Sequence, residues 1–180
     1  MIKSTPAIGN RREYSRVDAY IPFEFRLVPQ EECSVVRSRI SGEVMLADFN
    51  VMPPLDHHPQ MEHLMVLNKK LDTIIKMLAL QHEGFHSLPF KFVSISGSGM
   101  KFSSRQYLSS GDVIEIKMIL TMYQPVAIYI YGKVIRVERQ TEGYFITTHF
   151  TMIDDSIQNH IVRFVFEMER EMLRERRNTE

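Results

Sequence analysis

Two arginines four positions apart, Arg12 and Arg16, stand just ahead of an apolar stretch, with Arg11 beside them. Much further along, the chain runs Ser94-Ile95-Ser96-Gly97-Ser98-Gly99. A guanidinium is a planar fork of donors that fits phosphate oxygens and the O6/N7 edge of guanine. A Ser/Gly turn lets backbone and hydroxyl groups approach a ligand closely, because glycine carries no Cβ. Together the two segments describe a site for a guanine nucleotide.

Other chemistries are poorly served. Cys33 is the only cysteine, which rules out an intramolecular disulfide and fits a reducing cytosol. Among the histidines, His82 and His86 flank Gly84 at an expected helix end, and His57, His58 and His63 straddle Pro59 without a convincing fourth ligand. They read as surface positions, so no metal or cofactor is expected. Ser96 lacks the G-x-S-x-G elbow of a nucleophilic serine, and a hydrolase would need activity that depends on it. Asp154-Asp155 read as helix caps rather than a paired-carboxylate site. No enzyme is expected. Lys+Arg and Asp+Glu are equal at 22 each, so the chain lacks the basic field of a non-specific nucleic-acid binder. No apolar run reaches membrane-spanning length, and the protein reads as cytoplasmic.

The elements that must hold these residues are legible in outline. Residues 1–10 are expected to form a flexible arm, and 11–180 a single domain with a helical insertion at about 55–88. Val17 to Val28 alternates as a half-buried strand, with Phe23, Phe25 and Leu27 on one side, and Pro22 places it near an edge or bulge. Ser34 to Phe49 is a weaker extended stretch, broken by Pro53-Pro54. Pro59 to Gln81 reads as a helix, with Pro59 suited to its first turn and Gly84 to its stop.

Along that helix Leu64, Leu67, Leu71, Ile74 and Leu78 repeat at three and four, a heptad seam. Either the stripe packs on its own domain or it joins copies of the chain. Leucine at the a-type positions with Leu67 and Ile74 at d favours more than two strands in the second case. Short strands follow, around Phe90–Phe92, Met100–Phe102, Ile114–Leu120, Val126–Val134 and Tyr144–Met152, punctuated by turns. They read as a small closed barrel or sandwich. A final amphipathic helix presents Ile157, Ile161, Phe164, Val165, Met168 and Met172 on one face.

RxxxR ahead of the first strand, the Ser-x-Ser-x-x-Gly turn, a strand-rich middle and a C-terminal amphipathic helix resemble the PilZ domain. That family carries RxxxR with (Asp/Asn)-x-Ser-x-x-Gly and binds the second messenger cyclic di-GMP. The resemblance implies a mainly β fold, a six-stranded antiparallel barrel with the inserted helix and the C-terminal helix added. It implies a cyclic di-GMP site at Arg11, Arg12, Arg16, Ser94, Ser96 and Gly99, with Ser94 standing where the family has Asp or Asn. The inserted helix resembles a subgroup that assembles into tetramers, which implies self-association through Leu64, Leu67, Leu71, Ile74 and Leu78. The leading expectation is a non-enzymatic cyclic di-GMP receptor acting as a homo-oligomer on a downstream protein. The alternative is an adaptor that keeps the fold, has lost the ligand and works through protein contacts.

Overall fold

The computed structural model describes residues 14–41, 59–121 and 125–179. The expected arm at 1–10, Arg11, Arg12, the stretch 42–49, Pro53-Pro54 and the insertion's start at 55–58 lie outside the described residues. In chain order the elements are β1 (Arg16–Leu27), β2 (Arg39–Ile40), α1 (Pro59–His82), a 3-10 turn (Phe85–Ser87), β3 (Phe90–Ser96), β4 (Gly99–Ser104), β5 (Val113–Leu120), β6 (Val126–Gln140), β7 (Gly143–Thr151) and α2 (Asp155–Thr179).

The ring β1-β3-β4-β7-β6-β5 closes a six-stranded antiparallel barrel, and the two-residue β2 pairs with β6 along the edge away from β5. Closure removes every long free edge. β1 changes partner halfway, pairing Arg16 to Pro22 with β3 and Phe23 to Leu27 with β5. Pro22 is thus in an interior strand, not at an edge. It is tolerated because the ladder hands over there, with the Phe23 amide donating to the Pro89 carbonyl at 3.1 Å.

Alternation builds the core. In β5, Ile114, Ile116, Met118 and Leu120 point inward and are buried, while Glu115 and Lys117 stay on the outside. They meet Phe23, Ile95, Met100, Phe102, Ile128, Ile130 and Ile146 from the other strands. Phe25 is only half-buried and Leu27 is exposed, although both stay in the ladder with β5, opposite Ile116 and Ile114. Tyr129 and Tyr131, on the outer side of β6, are nevertheless buried. Phe85 covers Tyr129, and the Tyr131 hydroxyl donates to Glu115. β6 also continues past Val134, because a bulge between Val134 and Arg136 breaks the alternation and carries the strand onto β7. Ser34 and Val35, expected to be extended, lie in a turn closed by Val35 N–H to the Glu32 carbonyl at 3.0 Å.

α2 plugs one end of the barrel. Ile157, Ile161, Phe164 and Val165 are buried in the barrel core, with Met168 and Met172 partly buried against it. Of the two cap candidates, Asp154 and Asp155, the structure selects Asp154, whose side chain accepts from the Ile157 amide at 2.9 Å.

Candidate functional site

The Ser/Gly segment is the hairpin between β3 and β4. Ser96 pairs with Gly99, so Gly97 and Ser98 form the tight turn. Ser96 is buried and donates its hydroxyl to the Gly99 carbonyl at 3.1 Å. Gly99 is required by packing: a Cβ there would lie 2.1 Å from the Thr148 carbonyl oxygen of β7. Gly97 lies under Tyr14 and Val162, where a Cβ would come within 2.8 Å of both. Gln158 of α2 donates to the Gly97 carbonyl at 3.2 Å. Both Ser96 and Gly99 therefore build the turn itself, which the sequence alone did not separate from ligand contact.

Arg16 opens β1 directly opposite Ser96. The structure thus brings one motif arginine to the Ser/Gly hairpin, on the same end of the barrel. Arg16 is exposed at a cleft of about 420 Å³ between β1 and α2, which it lines with Asp18, Glu169, Met172, Leu173 and Arg176. That volume is within the usual range of about 300–1,000 Å³ for small-molecule sites. Ser15 donates to Glu169 across the same gap, tying the entry of β1 to α2. Ser94 is half-buried, one row along from Ser96, and pairs with Asp18 on one side and Lys101 on the other. Sequence reading missed Asp18, Tyr20 and Phe92 on this face. The signal for the first two was present, since Arg16, Asp18 and Tyr20 alternate; their opposite numbers on β3 required the register.

The heptad residues lie elsewhere. α1 is attached to the barrel at its C-terminal end only, among the described residues. Phe85 and Leu88 pack with Ala127 and Tyr129, the Phe85 and Tyr129 rings meeting edge to face at 5.2 Å, and Leu80 and Ile119 close the cluster. Gly84, at φ 74, terminates the helix in the left-handed conformation that glycine adopts without strain. Beyond this root the helix is bare. Leu64, Leu67, Leu71, Ile74 and Leu78 each keep 52–58 % of their surface exposed, and Met65, Val66 and Met77 are exposed too. Packing of the seam on its own domain is therefore not what the described residues show.

A polar cluster beside this root holds the outer face together. Arg26 grips Glu115 with two hydrogen bonds, at 2.7 and 3.2 Å, and Tyr131 donates to the same carboxylate. Burial works to raise the Glu115 carboxyl, but the Arg26 and Tyr131 hydrogen bonds outweigh it and hold the group below its ordinary range. Burial and the Glu115 hydrogen bond push the Tyr131 phenol up to about 12.

A closed antiparallel barrel of six strands is plugged by a helix and carries an arginine opposite a Ser/Gly hairpin. The profile of the PilZ domain matches residues 75–167, just over half the chain, and the protein belongs to the PilZ domain family. Members of that family are typically cyclic di-GMP receptors and generally not catalysts. The matched span starts inside α1 and leaves out β1, and with it Arg16. Among solved structures, the chain is similar to a pathogenic protein from Xanthomonas campestris, described as a new tetrameric PilZ domain self-assembled via an unusual helical bundle. The two are 15 % identical, with a TM-score of 0.58, over 89 % of this chain and 91 % of that one. No curated protein matches the chain. No described helix is long and apolar enough to cross a membrane.

Proposed function

We propose that this chain is a non-enzymatic signalling protein that binds cyclic di-GMP at one end of its barrel and self-associates through α1. The observation that carries the ligand reading is the pairing of Arg16 with Ser96, which puts a motif arginine on the hairpin that bears Ser94, Ser96 and Gly99. Arg16 has no side-chain hydrogen bond or ion pair with another described residue, and its guanidinium suits phosphate or a guanine edge. Arg11 and Arg12 precede Arg16 by five and four positions in the sequence. Calorimetric titration with cyclic di-GMP tests this: Arg12→Ala/Arg16→Ala should abolish the heat, and unchanged binding by that double variant overturns the site.

Self-association is supported by the bare seam on α1 and by the helical-bundle tetramer described for the Xanthomonas protein. A continuous apolar stripe this exposed is uncommon on a monomer. A second reading keeps this half alone. Ser94 offers a short hydroxyl where the family has Asp or Asn, and an adaptor that works through α1 and a downstream protein needs no nucleotide. Absence of heat with cyclic di-GMP, together with a stable oligomer, would decide for the adaptor.

A further inference from the structure

The outer face of β1 and β3 carries more than the arginine. In successive cross-strand rows, Arg16 lies opposite Ser96, Asp18 opposite Ser94, and Tyr20 opposite Phe92. Val17, Ala19 and Ile21 fill the intervening inward positions and are buried, so Arg16, Asp18 and Tyr20 share one face. Consecutive members of that row are about 6.7 Å apart along the strand.

Three features of this face are unspent. Asp18 has neither a hydrogen bond nor an ion pair among the described residues. In the same cross-strand row, Lys101 of β4 is already bound to Glu138 at 2.9 Å and lies over the Phe145 ring. Phe92 is 75 % exposed and Tyr20 is 55 % exposed, their ring centroids 4.7 Å apart, with Phe90 on the other side of Tyr20 at 5.4 Å. An open aromatic platform next to a carboxylate and an arginine matches the face of a nucleotide's base, the edge of that base and its phosphate. A base stacks on exposed rings regardless of its identity. An ionised carboxylate only accepts hydrogen bonds. Guanine's Watson–Crick edge presents two adjacent N–H donors to it, whereas adenine presents one donor beside an acceptor.

We propose that Asp18 supplies the base-reading carboxylate of this site, with Tyr20 and Phe92 as the stacking platform and Arg16 on phosphate, so that the ligand is a guanine rather than an adenine nucleotide. This rests on the ligand reading above and adds its specificity. It also accounts for Ser94. An acid at 94 would face Asp18 directly across the strands, about 5 Å away, and like charges in that position destabilise the pair. With serine there, the acid sits on β1 and the neighbouring row is open to a base.

The test is calorimetry on the full chain with cyclic di-GMP and cyclic di-AMP, with circular dichroism confirming that each variant keeps the barrel. Asp18→Asn should weaken cyclic di-GMP binding about ten- to a hundredfold and narrow its preference over cyclic di-AMP. Phe92→Ala should weaken both ligands alike. Asp18→Ser combined with Ser94→Asp should recover most of the guanine preference, because it returns one acid to the same row. Asp18→Asn binding within twofold of wild type, while Arg16→Ala loses binding, overturns the Asp18 assignment and leaves the ligand reading standing. No binding of either dinucleotide by the unaltered protein overturns both.

Discussion

Leu71→Lys puts a charge in the middle of the α1 seam, and its size follows from the exposure of that side chain. Leu71 keeps 55 % of its surface open in a single chain. Full burial of a leucine is worth about 1.5–3 kcal/mol, so covering the exposed half contributes roughly 1–1.5 kcal/mol per chain. Lysine forfeits that gain. It also brings a desolvation penalty of several kcal/mol if the ammonium is buried, and it faces its symmetry mates in the same layer. A net loss of about 3 kcal/mol per association step lowers each association constant by roughly a hundredfold. Light scattering or sedimentation should therefore show the wild type at a multiple of 21.1 kDa, and Leu71→Lys falling towards 21.1 kDa at the same concentration. The barrel should survive, because Leu71 is outside its core, so the far-UV spectrum and the thermal transition of the strands serve as the control. A variant that keeps the wild-type mass, or a wild type that runs as a monomer at high concentration, refutes the assignment of the seam to self-association.

Three further outcomes follow from the packing and the ionisation. Phe85→Ala removes the ring that roots α1 on Tyr129, and should cost about 3 kcal/mol by urea unfolding while exposing the helix root to proteolysis. Gly99→Ala drives a methyl group into the Thr148 carbonyl and should destabilise the barrel by at least about 2 kcal/mol, with the hairpin losing hydrogen-exchange protection first. The Glu115 carboxyl is depressed in the folded state below its reference value of 4.5, so its stabilising contribution is present above that value and is lost as pH falls through the folded value. Stability measured across that acid window should therefore fall less steeply in Glu115→Gln than in wild type, and parallel curves would show that the Arg26–Glu115–Tyr131 contact is not linked to folding.

Some residues announced their places and others did not. The alternation of β5 and the helical repeat of α2 identified buried positions correctly, from Ile114 to Leu120 and from Ile157 to Val165. Both elements have one wet face and one dry face, so their sequence period is a direct record of burial. β1 and β6 were harder to read, since each changes partner along its length. Pro22 at the β1 handover and the Val134/Arg136 bulge break the period where the ladder changes neighbour. Tyr129 and Tyr131 alternate with Ile128 and Ile130, which puts them on the outer side of β6. They are buried there by Phe85 and Glu115, which come from distant parts of the chain.

The sequence by itself determined the kinds of element, the ends of α1, the heptad seam and the presence of an arginine motif and a Ser/Gly turn, because those depend on local spacing and on glycine and proline. Only the tertiary structure decided what these features face. Barrel closure set the register that puts Asp18 opposite Ser94 and Arg16 opposite Ser96. The Phe85 anchor decided that α1 is held at its root and that its seam stays open. Register and docking depend on contacts between residues far apart in the chain, and no local period encodes them.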